Sequence, residues 1–266
     1  MLFDIFKAIV LGMVEGVTEF LPISSTGHLI IVNQWFFWGD DFTRMFDIVI
    51  QGGAILAVII YFRKHLFLCG EHKNEVSHIW FKVLLATVPA LIIGVIIGDS
   101  VQKILFHPLV VAVALIIGGI ALIWIEKKER LHSGDSIRTL TYKTVICIGI
   151  IQCLAFIPGV SRSAATILGA LMLGVGRKVA TEFSFFLAIP TLLAAGVYSL
   201  FKNGMSLNSY EAVLLILGCS ASFFSAWLVT GILMKYITTH NFEKFGYYRI
   251  GLGVMIIGLL LLRVIK

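Results

Sequence analysis

The chain has 266 residues, of which 59% are hydrophobic and only 14% charged, whereas soluble globular domains run nearer ~25% charged. That composition excludes a water-soluble domain, and at ~20 apolar residues per membrane-crossing helix the length allows about eight crossings at most. The net charge of +6 reads as loop charge on a cytoplasmic face and contact with anionic lipid, rather than as nucleic-acid binding.

The first apolar region, about 5–32, carries Glu15 and Glu19, then breaks at Phe20-Leu21-Pro22 ahead of Ser24, Ser25 and Thr26. The acids within the run, Asp4 ahead of Lys7 and the lack of a small-x-small site argue against a cleavable signal peptide. Proline removes a backbone donor and disfavours helix in the residue before it, while the hydroxyl residues that follow are ready N-caps. The pattern predicts helix, break, helix, which membrane depth tolerates only where protein or water satisfies the freed backbone. Glu15 and Glu19 share one helical face with Cβ atoms ~6 Å apart. Two carboxylates in a low dielectric require a cation, a shared proton or an arginine. The plainer reading, an interfacial segment with both acids in water, fits poorly with the neighbours Val14, Val17, Phe20 and Leu21. Capping accounts for one hydroxyl of the group Ser24 to His28. The second hydroxyl, and a histidine three residues after Ser25 on the same face, suit a nucleophile with a general base.

Uninterrupted apolar runs follow at 46–62, 82–99 and 109–125. Gln51 can line a cavity, although a single interhelical hydrogen bond explains it as well. Glu126 to Arg130 reads as a solvated helix end. The second interrupted region, about 143–175, breaks at Phe156-Ile157-Pro158-Gly159 ahead of Ser161, Arg162 and Ser163. A buried arginine needs an anion or paired acids. At a new helix start the free N–H groups form an anion site, and Arg162 adds a fork that matches phosphate. Ser161, Ser163 and Thr166 supply further hydroxyls. A simple ion pair with Glu15 or Glu19 leaves those serines unexplained.

Runs at 182–201, 211–234 and 248–265 complete the chain, with Glu182 reading as a cap. His65, His72, His78, His107, His132 and His240 read as solvated loop residues. Cys69, Cys147, Cys153 and Cys219 show no CxxC spacing and read as small buried apolar residues.

Charge decides the topology. With both interrupted regions as hairpins that return to their starting side, one face collects Arg63, Lys64, Lys73, Lys82, Lys127, Lys128, Arg130, Arg138, Lys143, Arg177, Lys178, Lys235 and Lys244. The other collects Lys7, Arg44, Lys103, Lys202, Arg263 and Lys266, the bias expected of a cytoplasmic side against an outer one. The expected fold is therefore an all-α polytopic membrane protein of about six spans plus two re-entrant helical hairpins. The hairpins enter from opposite sides and each precedes three spans, so residues 1–128 and 140–266 form inverted-topology repeats. Identities at an offset of 137 residues agree: Ser24/Ser161, Phe46/Phe183, Ala57/Ala194 and Tyr61/Tyr198. Gly12-x-x-Glu15 likewise matches Gly149-x-x-Gln152.

Two acids, several hydroxyls, a histidine and an arginine at two converging helix starts suit phosphoryl chemistry on a membrane-embedded substrate. Broken helices that meet at the midplane also suit a transporter or flippase of a polyprenyl phosphate or other anion. The stretch Glu15-Gly16-Val17-Thr18-Glu19-Phe20-Leu21-Pro22-Ile23-Ser24-Ser25-Thr26-Gly27-His28 resembles the glutamate-rich first motif of the bacterial undecaprenyl-diphosphate phosphatases, the bacitracin-resistance protein family. Pro158 to Thr166 resembles that family's PGxSRSxxT second motif. The resemblance implies hydrolysis of undecaprenyl diphosphate to undecaprenyl phosphate and inorganic phosphate, which recycles the lipid carrier of cell-wall synthesis. It implies dependence on a divalent cation, Mg2+ or Ca2+, with Glu15 and Glu19 as metal-linked or basic acids and Arg162 as phosphate clamp; the attacking group is either Ser25, with His28 beside it, or a water activated by Glu15 or Glu19 with the metal. Ser161, Ser163, Thr166, Ser24 and Thr26 assist in phosphate binding. It further implies a site that opens to the outer side of the bacterial cytoplasmic membrane, a polyprenyl diphosphate and membrane lipids as partners, and room for a homodimer.

Overall fold

The computed structural model describes residues 1–67, 73–105, 107–128, 136–203 and 207–265. Cys69, His72, Arg130, His132 and Lys266 lie outside the described residues. The chain is 82% helical, with no strand among the described residues, as hydrocarbon demands of a backbone that cannot turn to water for hydrogen bonds.

Twelve helices follow in chain order: α1 (Leu2–Thr18), α2 (Ser25–Val32), α3 (Asp40–Val49), α4 (Gln51–Tyr61), the single turn α5 (Arg63–Leu66), α6 (Lys73–Leu105), α7 (Pro108–Lys127), α8 (Tyr142–Gln152), α9 (Arg162–Met172), α10 (Arg177–Asn203), α11 (Ser209–Tyr236) and α12 (Glu243–Leu261). Among the described residues six stretches are long and apolar enough to cross a membrane: Phe42–Tyr61, which joins α3 and α4, Val76–Gly98, Pro108–Lys127, Arg177–Ser199, Ser209–Tyr236 and Glu243–Leu261. These are the six uninterrupted runs of the sequence. Both interrupted regions are helix, break, helix. The first stops at Thr18 and restarts at Ser25; the second stops at Gln152, continues as a 3-10 turn over Cys153–Phe156, and restarts at Arg162.

The packing pairs elements across the middle of the chain. α1 lies along α11 while α8 lies along α6, so the first helix of each broken pair packs on the second long span of the other half. α4 packs on α10 and α7 on α12, like with like. Between lipid-solvated helices there is little hydrophobic drive, and small residues that let backbones approach supply the contact. A Cβ on Gly16 of α1 would collide with Ser222 O and Ser225 Oγ of α11. At the junction of α4, α9 and α10 the filling is aromatic. Phe20, Phe183, Phe185 and Phe186 are fully buried, and the rings of Phe20 and Phe185 meet edge to face at 5.1 Å. Large side chains such as Val95 and Phe201 stand out toward lipid.

The end of the molecule that carries α5 is closed by polar contacts. Arg177 at the start of α10 grips Glu126 at the end of α7, with Nη2 2.6 Å and Nε 3.0 Å from Oε2, and Phe242 N donates to Glu126 Oε1. The Glu126 side chain is 2% exposed. It is therefore an anchor for α10 and α12, not the solvated helix end that its charged neighbours suggest. Glu182 lies beyond the first turn of α10 and binds His65 Nδ1 at 2.9 Å, so it is a bridge rather than a cap.

Gly16→Ala should lower stability by about 1–3 kcal/mol, since one opposing atom, Ser222 O, is backbone and cannot rotate away. Thermal unfolding in detergent measures this. Gly231→Ala, where a new Cβ meets only Tyr61 at an ordinary 3.4 Å, should leave the melting temperature within a degree or two.

Candidate active site

Each break restarts on a serine that proline-induced disorder alone does not explain. Ser24 has φ 72° and Ser161 has φ 72°, left-handed values for residues other than glycine, each costing of order 1–3 kcal/mol. In each case the strained serine is the N-cap of the following helix. Ser24 Oγ accepts from Gly27 N and Ser161 Oγ accepts from Ala164 N, both at 3.3 Å. Gly159, with φ 93°, precedes Ser161 because a Cβ there would sit 2.5 Å from Val111 O of α7.

Arg249 of α12 holds this backbone in place. It is fully buried, and its Nη1 donates to Pro22 O at 3.2 Å while Nη2 donates to Gly159 O at 3.1 Å and Val160 O at 3.0 Å. Longer bonds of 3.4 Å reach Leu115 O and Ala114 O of α7. One guanidinium thus serves the carbonyls that both breaks leave unpaired. Sequence reading passed over Arg249, although an arginine near the start of the last apolar run was the available signal.

Side chains from the two restarts then meet. Glu19, just beyond the last residue of α1, accepts from Ser25 Oγ at 2.9 Å on Oε2 and from Arg162 Nη2 at 3.1 Å on Oε1. Arg162 also donates through Nη1 to Ser184 O at 2.8 Å and Ser184 Oγ at 3.3 Å. Its guanidinium carbon lies 5.5 Å from the Phe20 ring centroid. Ser163 Oγ donates across the junction to Leu21 O at 2.8 Å and takes a bond from Ser161 Oγ at 2.9 Å. Thr166 Oγ1 donates to Arg162 O at 3.0 Å and accepts from Ser184 Oγ at 2.6 Å. Ser24, Ser161, Ser163 and Thr166 therefore spend their hydroxyls on fixing Ser25, Glu19 and Arg162. Thr26 is half-buried and stands outside this network.

His28 lies close by but does not touch Ser25. Its Nδ1 is 2.7 Å from Ser24 O and its Nε2 is 2.7 Å from Tyr248 Oη. The base within reach of the Ser25 hydroxyl is Glu19. Gln51 opens α4 midway along the Phe42–Tyr61 stretch and is half-buried.

Glu15 is fully buried, and neither carboxylate oxygen has a partner. Glu19, Asp47 and Arg162 lie within its electrostatic range. Asp47 Oδ2 accepts from Asn33 Nδ2 at 2.8 Å, whereas its Oδ1 has no partner. An unpaired carboxylate in a buried site next to a second one fits a divalent cation, and Glu15 and Glu19 are the residues that would hold one. Among the described residues no group of three or more His, Cys, Asp or Glu is set for a metal. Sequence reading missed Asn33, Asp47, Ser184 and Tyr248, polar residues within or beside apolar runs whose direction only the packing reveals.

Fold and site together define a polytopic membrane protein with a serine, a buried carboxylate and an arginine linked at the junction of two broken helices. Residues 8–255 match the family described as bacitracin resistance protein BacA, and the chain belongs to that family. It is similar to undecaprenyl-diphosphatase 3 of Acinetobacter baylyi, 46% identical over 97% of this chain and 98% of the relative. It is also similar to undecaprenyl-diphosphatase 1 of Clostridioides difficile, 43% identical over 96% of each chain. The undecaprenyl-diphosphatase of Polaromonas naphthalenivorans is 43% identical over 95% of this chain and 94% of its own.

Arg249→Met would leave the Pro22, Gly159 and Val160 carbonyls without donors. It should cost roughly 3 kcal/mol or more, taking 1–3 kcal/mol for each orphaned group, seen as a clear fall in melting temperature in detergent. Arg249→Lys, which still brings three donors, should lose less.

Proposed function

We propose that the protein hydrolyses undecaprenyl diphosphate to undecaprenyl phosphate and inorganic phosphate, and so recycles the lipid carrier of cell-wall synthesis and confers bacitracin resistance. The observation that carries the mechanism is the doubly engaged Glu19, whose two oxygens receive Ser25 and Arg162. Such a carboxylate can take the serine proton while the arginine stays aligned with it.

In the first step Ser25 Oγ attacks the terminal phosphorus and Glu19 accepts its proton. The bond from that phosphorus to the bridging oxygen breaks, and undecaprenyl phosphate departs with the bridging oxygen. Water then attacks the phosphoserine, freeing inorganic phosphate and restoring Ser25. Arg162 neutralises charge on the non-bridging oxygens of the transferred phosphoryl group, the role for which a planar fork is suited. A divalent cation held by Glu15 and Glu19 would add charge neutralisation at the same phosphate. The unpaired Glu15 also supports a second reading, in which an acid activates water for direct attack on phosphorus.

The chain is a multi-pass membrane protein of a bacterial family. We further propose that residues 1–128 and 140–266 are inverted repeats, a reading supported by the paired Ser24 and Ser161 caps and the reciprocal packing of α1 and α8. The concentration of basic residues at the α5 end supports a cytoplasmic position for that end in the cytoplasmic membrane, with the site open to the outer face.

The purified protein in detergent should release inorganic phosphate from a polyprenyl diphosphate, and Arg162→Ala should lower kcat/KM by about 10²–10³ or more. Full activity of that variant overturns the site; binding of the lipid without any phosphate release favours a transporter. Rapid quenching should trap phosphate on Ser25, and its absence while chemistry limits the rate would favour the water mechanism. Chelation should suppress release, and Glu15→Gln should raise the Mg2+ or Ca2+ concentration needed to restore it.

A further inference from the structure

Both ring nitrogens of His28 are engaged, and the partners fix which one carries hydrogen. Nδ1 is 2.7 Å from Ser24 O. A carbonyl oxygen only accepts, so in the neutral ring Nδ1 bears the hydrogen. Nε2 then holds the lone pair, and the Tyr248 hydroxyl at 2.7 Å donates to it. The two rings stack, with centroids 5.6 Å apart and planes inclined by 9°. Tyr248 precedes Arg249 on α12, so a single turn of that helix holds the broken backbone and orients the imidazole. Ser25 does not compete for Nε2, because its hydroxyl is taken by Glu19. Tyr248 is 49% exposed and stands between the histidine and the exterior.

We propose that Tyr248 is the positioning residue of His28: it holds the ring with Nδ1–H toward Ser24 and basic Nε2 toward the open side of the site, and it conducts protons outward. When Nε2 gains a proton the hydrogen bond reverses. Nε2–H donates to Tyr248 Oη, and the phenolic hydrogen turns to water. The proton Ser25 loses goes to Glu19 and returns to Ser25 when the phosphoserine is cleaved, so the proton that Nε2 gains is the one lost by the water that attacks the phosphoserine; no bond to carbon or phosphorus changes at either residue. The tautomer stands on geometry alone, whereas the conducting role rests on the phosphatase reading.

The test is a double-mutant cycle on the full-length protein in detergent with a polyprenyl diphosphate. Tyr248→Phe keeps the stacked ring and loses the hydroxyl. It should lower kcat about tenfold, the size of one hydrogen bond, with KM within twofold of the parent. In a His28→Ala background the same change should have no further effect. Imidazole 15N spectra of the substrate-free protein should show His28 protonated on Nδ1, with its Nε2 signal moving away from the hydrogen-bonded position in Tyr248→Phe. Equal losses with and without His28, or an unchanged kcat, overturn the conducting role. An Nε2–H ring, or spectra unaffected by Tyr248→Phe, overturn the pairing. The spectra need no substrate, so a protein that releases no phosphate yet shows them fails the functional reading alone.

Discussion

A helix broken inside a membrane leaves backbone carbonyls with no water to satisfy them, and this fold answers that constraint twice with one side chain. Arg249 carries five N–H donors in a fixed plane, and carbonyls of both breaks accept from them. Its charge has no carboxylate partner among these contacts; a ring of carbonyl dipoles stabilises it. The arrangement makes the breaks interdependent, because the Pro22 and Gly159 carbonyls are drawn to the same group. The strained serines persist because their surroundings over-determine them.

The chemistry grows out of that junction. Once the two restarts are held together, Glu19 and Arg162 face each other although 143 residues separate them. A buried ion pair of this kind repays its desolvation only with good geometry and further hydrogen bonds. The carbonyl and hydroxyl of Ser184 supply those on the arginine side, and Ser25 supplies one on the glutamate side. The hydroxyl groups around them mostly brace the backbone. This divides the polar residues into a central set, Ser25, Glu19 and Arg162, joined to one another, and a supporting set. Glu15 joins neither hydrogen-bond network, since it is buried without a partner. Gln152, which stands 137 residues further on, is also buried and unpartnered but carries no charge.

Away from the junction, polar contacts set the ends of the bundle and small residues set its tightness. Glu126 and Arg177 close one end. At the other, Asp4 accepts from Trp38 Nε1 at 3.0 Å and from Tyr210 Oη at 2.9 Å. Between these ends the helices approach through glycine and serine, as expected where lipid is as apolar as the side chains it would replace.

The sequence by itself determined the class of the molecule, its six spans and the places where two helices break. Hydropathy, proline and hydroxyl caps are local signals, and membrane depth leaves the backbone few other solutions. It also drew attention to Glu15, Glu19, Ser25, His28 and Arg162, since charge or hydroxyl excess inside an apolar run has a cost that demands a reason. Only the tertiary structure decided which of these touch. It turned Ser25 toward Glu19 instead of His28, turned His28 toward Tyr248, and assigned Thr166 to bracing Arg162. It also drew Arg249, Ser184 and Asp47 in from distant helices and made Glu126 an anchor. Those assignments depend on helix rotation and on contacts between residues far apart in the chain, which periodicity along one helix does not encode.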